Sequence, residues 1–340
     1  MTALRSLWVH NFDPGIAMGG VFMHVLADAV QAQGVQVDML YTGRLSSALE
    51  IWRARRLLRE LAGDFDVVHA QYGSMCSLVA AAAPGLRIVS LRGSDWYRTP
   101  NGTFRQRVHG NLGNFLTRRA LPHYDRVIVM SHAMREELER HGHGRTRGRI
   151  EVVTDGLDLE MFQPRDRAAC RAQLGCPGDT RPWVLMTTLF EDNPIKRVPL
   201  AKAAVALAQQ RLPDLQLKVA SNRPHHEMPL WVNACDAILL TSDHEGWPNA
   251  IKEALACDVP FVSTDVSDLA RIARVEPACR TADAHPQALA DALVQVLSRE
   301  GPVNLRHHVA GMEVHEVARR LCGVYHDMVS AGVTSSVAGV

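Results

Sequence analysis

The first half of this 340-residue chain contains no lysine. Residues 1–155 hold 19 Arg and 14 acidic residues, a net charge of +5. The remainder holds 14 Arg, 4 Lys and 22 acidic residues, a net charge of −4, so the overall +1 conceals a difference in sign. A dedicated nucleic-acid-binding protein usually carries a strongly basic domain, which this balance argues against. The lysines available as point charges are Lys196, Lys202, Lys218 and Lys252.

Other features are missing as well. No stretch reaches the roughly 18–20 consecutive apolar residues of a membrane span. The N-terminal segment has Arg5 but neither a long apolar region nor a small-residue cleavage site, so we expect a cytoplasmic protein. The seven cysteines are scattered and form no CxxC pair, which indicates reduced, buried thiols rather than disulfides or a zinc site. An apolar fraction of 47% excludes disorder.

Short apolar, β-rich runs alternate with longer helical patterns along the chain, which is typical of parallel sheets covered on both faces. The first half predicts strands at 6–12, 35–41, 66–70, 86–91, 126–131 and 149–154, with helices near 20–33, 46–62, 74–83, 103–120 and 132–141. The second half predicts strands at 183–188, 215–220, 237–242 and 260–265, with helices near 197–211, 249–257, 286–298 and 312–330.

This pattern predicts an α/β protein of two Rossmann-like, doubly wound domains that face a cleft. A ligand is expected in that cleft, outside the carboxyl ends of the strands. The predicted boundaries are an N-terminal domain at 1–160, a second domain at 161–310, a helix at 311–330 that packs back toward the first domain, and a tail at 331–340.

The strongest motif is TSDHEGWPNAIKEALACDVPFVSTDV at 241–266. Glu245 follows a predicted strand, Gly246 and Pro248 form a loop, and Glu253 lies about one turn into the next helix. Two carboxylates therefore flank a helix N-terminus, whose free N–H groups favour an anionic ligand. Carboxylates beside an anion site suit the hydroxyl groups of a sugar attached to a phosphate better than the phosphate itself.

This motif resembles the signature of retaining GT-B glycosyltransferases of family 4, and the string from MPLWVNACDAILLTS onward resembles the branch that assembles bacterial cell-envelope polysaccharides. The resemblance covers nearly the whole chain. It implies that the domain at 1–160 binds the acceptor and that the domain at 161–310 binds the nucleotide sugar. It implies that Glu245 contacts the donor sugar and that Glu253 binds the ribose hydroxyls. It also implies donor contacts from the intervening loop, formed by Gly246, Trp247, Pro248 and Asn249.

Two further loops gain roles from the resemblance. Lys196 and Arg197 match the family's NPIKR element, which neutralises the departing nucleoside diphosphate, although Glu191-Asp192-Asn193 stands where many relatives have another arginine. With Glu245 they are the predicted catalytic residues. The PGIAMGG segment at 14–20 lacks both GxGxxG and GK[ST]. The family implies that Gly19 and Gly20 let the backbone approach the donor or acceptor; a plain tight turn is the alternative.

The LRGSDWY segment at 91–97 has Arg92 where the family commonly has His, before a Gly-Ser-Asp that matches. Arginine cannot act as a proton shuttle, so Arg92 favours a phosphate- or carboxylate-binding role. Asp95 and His69 are further acceptor or phosphate candidates, with a structural histidine the alternative for His69. In the predicted domain-joining loop, Asp155 replaces the usual Asn.

The function expected from these residues is metal-independent, retaining transfer of a sugar, without a cofactor, from a UDP- or GDP-sugar to a glycan, lipid-linked or other acceptor. The basic first half suggests an anionic acceptor or a membrane surface. The arginine-rich segment 50–61 suits peripheral contact with an anionic membrane, and a covering helix with solvated arginines is the alternative. The alternatives are a GT-B subunit that binds without catalysis and a glycoside hydrolase. A dehydrogenase is disfavoured because the first βα turn lacks its glycine fingerprint.

Overall fold

The computed structural model describes residues 3–13, 20–43, 45, 47–141 and 150–337, without the side chains of 332–337. It divides into two compact units. Unit 1 comprises Met1–Gly156 and Val314–Val340, and unit 2 comprises Leu157–Glu313. Among the described helices, none is both long and apolar enough to cross a membrane.

Unit 1 is built on a six-stranded sheet in which all paired strands are parallel, in the order β2-β1-β3-β4-β5-β6. The first and third strands lie side by side, so the chain reverses its direction of travel across the sheet between them. The elements are β1 Arg5–His10, α1 Val21–Ala32, β2 Gln36–Tyr41, α2 Ala48–Leu61, β3 Val67–Ala70, α3 Ser74–Ala80, β4 Leu86–Leu91, α4 Phe104–Ala120, β5 Arg126–Val129, α5 His132–His141 and β6 Ile150–Val152.

Unit 2 is built on a five-stranded parallel sheet in the order β11-β10-β9-β7-β8. Helices on both faces bury its central strands, and a core of aliphatic residues joins β7, β9 and β10 to α7 and α11. The elements are α6 Arg167–Gln173, β7 Trp183–Thr188, α7 Val198–Ala208, β8 Gln216–Ser221, α8 Met228–Ala234, β9 Ala237–Leu240, α9 Asn249–Ala256, β10 Phe261–Thr264, α10 Leu269–Val275, β11 Arg280–Ala282 and α11 Pro286–Leu297.

The predicted fold class is confirmed: both units are doubly wound α/β layers. The sequence analysis missed α6, α10 and β11, which are seven, seven and three residues long. Elements of this length contain too few turns or alternations for a clear period, and Arg280–Ala282 is a half-buried edge strand with no apolar run.

The last helix, α12 at Val314–Val337, belongs to unit 1. It extends seven residues into the segment at 331–340 for which the sequence predicts a tail. Its Tyr325 is fully buried, and the Tyr325 hydroxyl accepts a hydrogen bond from Trp8 Nε1 at 3.0 Å and lies 2.6 Å from His69 Nδ1. Helix α12 is therefore joined to β1 and β3 through polar groups that have lost their water.

Replacing Tyr325 with Phe leaves the buried Trp8 N–H and His69 Nδ1 without this partner. We expect a loss of about 1–3 kcal/mol in the free energy of unfolding, the usual cost of an unsatisfied buried polar group. Urea denaturation monitored by tryptophan fluorescence measures it. Tyr41→Phe, at a position 37% exposed, is the matched control. Equal stability of the two variants would contradict this account of α12.

Candidate functional site

Three charged side chains of unit 2, those of Lys196, Arg197 and Glu245, lie where the chain reverses its direction across the sheet. Strand β7 lies between β8 and β9, so the segments that leave β7 and β9 diverge at their carboxyl ends. Ligands of doubly wound proteins bind in the crevice that such divergence creates. Residues 189–197 leave β7 and residues 241–248 leave β9, and the N–H of Asp243 donates to the carbonyl of Ile195 at 2.9 Å, which ties the two segments together.

Lys196 and Glu245 form an ion pair across this switch point. Lys196 Nζ lies 2.5 Å from Glu245 Oε1, and the Ser242 hydroxyl donates to the same carboxylate oxygen at 2.7 Å. Both charged side chains keep some solvent exposure, 26% for Lys196 and 16% for Glu245. The pair is therefore fixed by its neighbours but still reachable by a ligand.

Arg197 is directed into the protein instead. Its Nε and Nη2 donate to the carbonyls of Thr241 and Ser242 at 2.6 and 2.9 Å, and its Nη1 lies 2.8 Å from Asp243 Oδ1. It begins α7 with a φ of 51°, a left-handed conformation that non-glycine residues rarely adopt. The Arg197 guanidinium therefore holds the loop after β9 in place, and its catalytic role stays a prediction.

Helix α9 begins at Asn249 behind a buried Trp247, and its N-cap is Pro248, whose side chain has no oxygen to cap the first N–H groups. The helix N-terminus therefore remains suited to an anion. Glu253 lies further along α9, and the imidazole Nε2 of His225 is 3.6 Å from its Oε1. Hydrogen bonding to Glu253 raises the pKa of His225, although burial opposes the shift.

His225 is a residue whose part in this site the sequence analysis did not recognise. In the sequence, the adjacent His225-His226 pair is only weak evidence for a metal site. Its contact with Glu253 could not be foreseen, because His225 and Glu253 lie far apart in the sequence. Ser242 and Asp243 were missed for the same reason: they act on Glu245 and Arg197 through the loop geometry, which no spacing rule gives.

In unit 1, Gly20 ends the glycine-containing loop and is the N-cap of α1, with φ 78°. A Cβ there would lie 3.2 Å from the Cβ of Phe12, so both the backbone conformation and the available space require glycine. Gly19 lies outside the described residues. The turn explains Gly20 by itself, and its donor role stays a prediction.

Arg92 does not project from the loop after β4. Its Nη1 pairs with Asp155 Oδ1, its Nε donates to the Gln71 carbonyl at 2.7 Å, and its guanidinium stacks 4.1 Å from the ring of Phe22. The side chains of Arg92 and Asp155 are only 9% and 12% exposed. In the structure the carboxylate that Arg92 binds is that of Asp155, and its role toward a ligand's phosphate or carboxylate stays a prediction.

Asp95 and His69 are likewise used inside unit 1. The Asp95 carboxylate accepts hydrogen bonds from the N–H groups of Gly73, Arg92 and Gly93 and is fully buried, which raises its pKa. His69 Nε2 lies 2.8 Å from Ser90 Oγ while Nδ1 meets Tyr325, and burial holds its pKa well below the usual value. Both side chains are buried with internal partners, which suits the structural role that the sequence left open for His69; the acceptor roles of Asp95 and His69 stay predictions.

Among the described residues, one group has the composition of a metal site. His308 Nε2 and His307 Nε2 lie 2.8 and 3.5 Å from Glu276 Oε1. Glu276 follows α10 and leads toward β11, so it stands at the amino edge of the sheet, whereas Lys196 and Glu245 follow the carboxyl ends of their strands. The group therefore takes no part in the switch-point site.

The sequence comparisons name the family. A family model described as Glycosyltransferase Family 4 matches residues 18–161, and one described as Glycosyl transferases group 1 matches residues 201–299. The chain therefore carries a family 4 glycosyltransferase domain and a group 1 glycosyltransferase domain. This glycosyltransferase is 25% identical to D-inositol 3-phosphate glycosyltransferase 1 of Catenulispora acidiphila, over 79% of the chain and 74% of that protein. It is 26% identical to the putative teichuronic acid biosynthesis glycosyltransferase TuaC of Bacillus subtilis, over 68% of the chain and 61% of TuaC.

Solved structures of similar fold include GT-B glycosyltransferases. Sucrose-phosphate synthase from Thermosynechococcus elongatus matches 96% of the chain and 100% of its own length, with a TM-score of 0.75 and 16% identity. Anabaena Alr3699/HepE, solved in complex with UDP-glucose, matches 95% of the chain and 100% of its own length, with a TM-score of 0.64 and 15% identity. At this identity the likeness establishes the fold.

The Arg92–Asp155 pair in this glycosyltransferase predicts energetic coupling. Asp155→Asn alone removes the partner charge of a nearly buried guanidinium, and breaking such a pair costs about 3–5 kcal/mol of unfolding free energy. Arg92→His alone leaves the carboxylate unpaired and is expected to be comparably unfavourable. The double variant restores the His and Asn expected from the family pattern, and we expect it to be more stable than the sum of the single changes by about 1–3 kcal/mol.

Chemical denaturation of the wild type, the two single variants and the double variant measures this coupling. Additive effects of the two substitutions would contradict the assignment of Arg92 to an internal ion pair.

Proposed function

We propose that this glycosyltransferase moves a sugar from a nucleotide-sugar donor, held by unit 2, to a hydroxyl group of an acceptor held by unit 1, with retention of the anomeric configuration. The observation that carries the proposal is the Lys196–Glu245 pair at the switch point of the unit 2 sheet. It offers one cation for a diphosphate and one carboxylate for sugar hydroxyls, side by side and partly exposed.

The donor in this proposal is a UDP- or GDP-sugar. A diphosphate suits Lys196 together with the uncapped N-terminus of α9, and the ribose hydroxyls suit the Glu253 carboxylate, which also meets His225. The related fold of Alr3699/HepE, which was solved with UDP-glucose, supports a uridine nucleotide as the first donor to test.

In the proposed reaction, the bond between the anomeric carbon and the diphosphate oxygen breaks, and the acceptor oxygen bonds to the same face of that carbon. The acceptor's hydroxyl proton passes to the leaving phosphate oxygen, so atoms and charge balance. Lys196 stabilises the negative charge that develops on the leaving group, the kind of electrostatic effect that contributes most when it is fixed in advance. A cation in this position supplies what a metal ion would, and we propose that transfer needs neither a metal nor a cofactor.

We propose an anionic or lipid-linked glycan acceptor within cell-envelope or exopolysaccharide synthesis, on the cytoplasmic face of the membrane. Residues 1–155 carry the excess positive charge. The names of the two relatives, an inositol-phosphate glycosyltransferase and a putative teichuronic acid glycosyltransferase, support an acceptor of this chemistry.

One observation favours a second function, donor binding without catalysis. Arg92 and Arg197 both form ion pairs with carboxylates of the protein itself. A protein that binds a nucleotide sugar but transfers nothing would release no nucleoside diphosphate with any acceptor pool. The hydrolase alternative has no comparable support, since the family matches are to transferases.

Lys196→Ala is expected to lower kcat/KM for transfer by about 10²–10³-fold, the usual effect of removing one fixed charge from a developing anion. Glu253→Ala is expected to weaken donor binding by about 10–100-fold through the lost charge-assisted hydrogen bonds. The measurements are nucleoside diphosphate release and calorimetry with UDP- and GDP-sugars. Lys202→Ala is the matched control, because Lys202 is an exposed lysine of α7 paired only with the exposed Glu191.

Full transfer activity in the Lys196 variant would sink the proposal. Product NMR tests retention separately, since an inverted anomeric centre would contradict that part alone. Activity abolished by EDTA and restored by a divalent metal would contradict metal independence.

A further inference from the structure

Helix α4 of unit 1 has its apolar side chains on the outside. Phe104, Val108, Leu112 and Phe115 are 76%, 49%, 53% and 57% exposed. At 3.6 residues per turn these four positions fall within an arc of about 80° and form one continuous stripe. We call this set the α4 stripe. A covering helix normally directs such a stripe to the core, so four large apolar groups in water require an explanation.

The opposite face of α4 is buried by polar contacts. Asn114 Nδ2 donates to the carbonyl of Ser94 at 3.1 Å, and the Thr117 hydroxyl donates to the carbonyl of Asp95 at 2.7 Å. Gly113 approaches Ser74 so closely that a Cβ would lie 2.7 Å from its hydroxyl oxygen. The helix is therefore fixed with its stripe outward, and its inner face holds the loop that follows β4.

The charges of α4 have one sign. The helix sequence FRQRVHGNLGNFLTRRA contains four arginines and no acidic residue. Arg118 stacks 4.3 Å from the ring of Trp96, while Arg105, Arg107 and Arg119 are exposed. On the same helical projection these three residues border or lie within the α4 stripe. An apolar stripe edged by cations complements a surface with acyl chains below and anionic headgroups above.

We propose that α4 is a membrane-contact helix, whose stripe enters the interface of an anionic bilayer while Arg105, Arg107 and Arg119 meet lipid phosphates. Helix α2 is less suited to this contact. Its acidic Glu60 pairs with Arg56, and Arg55 donates to the carbonyl of Leu78, so two of its four arginines are engaged within the protein. The contact through α4 sets the loop after β4 close to the lipid surface, because the inner face of the helix holds that loop.

The inference deepens the proposed function, since a lipid-linked acceptor is presented at such a surface. Binding to vesicles needs no donor and no transfer, so either statement can fail without the other.

The test is sedimentation of the full-length protein with vesicles of phosphatidylethanolamine and phosphatidylglycerol, with pure phosphatidylcholine vesicles as the uncharged comparison. Replacing Leu112 and Phe115 with Ser is expected to lower the partition coefficient by at least about tenfold, from the loss of two buried apolar side chains. Arg105→Gln with Arg107→Gln is expected to lower it about fivefold or more, and this loss should shrink at high salt.

Trp52→Ser in α2 and Val275→Ser in unit 2, both at exposed apolar positions, are the matched controls and are expected to bind as the wild type does. Circular dichroism and UDP-sugar binding in solution verify that each variant is folded. Wild-type vesicle binding by the Leu112/Phe115 variant would overturn the proposal, as would loss of binding by the Trp52 variant alone. A concentration-dependent dimer that the same α4 substitutions abolish would overturn it in favour of a second copy of the chain.

Discussion

The structure of unit 2 depends on how two loops are held at the carboxyl ends of β7 and β9. The Arg197 guanidinium donates to the carbonyls of Thr241 and Ser242 and pairs with the Asp243 carboxylate, which fixes the two loops against each other. This arrangement brings Lys196 to Glu245 and allows the two opposite charges to remain partly exposed. Oppositely charged groups in a ligand-free site neutralise one another, and each becomes available when a ligand supplies a better partner. The proposed donor has both: a diphosphate for the lysine and sugar hydroxyls for the carboxylate.

In unit 1, the titratable side chains predicted to bind a ligand are paired within the unit. Arg92 meets Asp155, Asp95 accepts three backbone N–H groups, and His69 is enclosed by Ser90 and Tyr325. In the structure these groups stabilise the loop after β4 and the attachment of α12. The positive charge that remains for partners lies on surface helices, and on α4 it accompanies exposed apolar side chains. Unit 2 therefore exposes the charged side chains of the candidate site, whereas unit 1 exposes a basic and apolar helix surface.

The fold was predictable because long apolar strands and helix-length patterns alternate without interruption. The short elements α6, α10 and β11 were not predicted, because they carry no readable period. The proximity of Lys196 and Glu245 was predictable, because each follows the carboxyl end of a strand. The pairing of Arg92 with Asp155 was not predicted: the spacing of 63 residues between them conceals an ion pair. Each of these two residues differs from the expected family pattern, and the structure brings the two together as an ion pair.

The central claim is that the Glu245 carboxylate pairs with the Lys196 ammonium group until a diphosphate replaces it. Calorimetric titration of UDP into Glu245→Gln tests this most directly, because UDP lacks the sugar that Glu245 is proposed to contact. The account predicts that this variant binds UDP more tightly than the wild type, by about fivefold, the equivalent of roughly 1 kcal/mol from a released ion pair. Unchanged or weaker binding of UDP would contradict it.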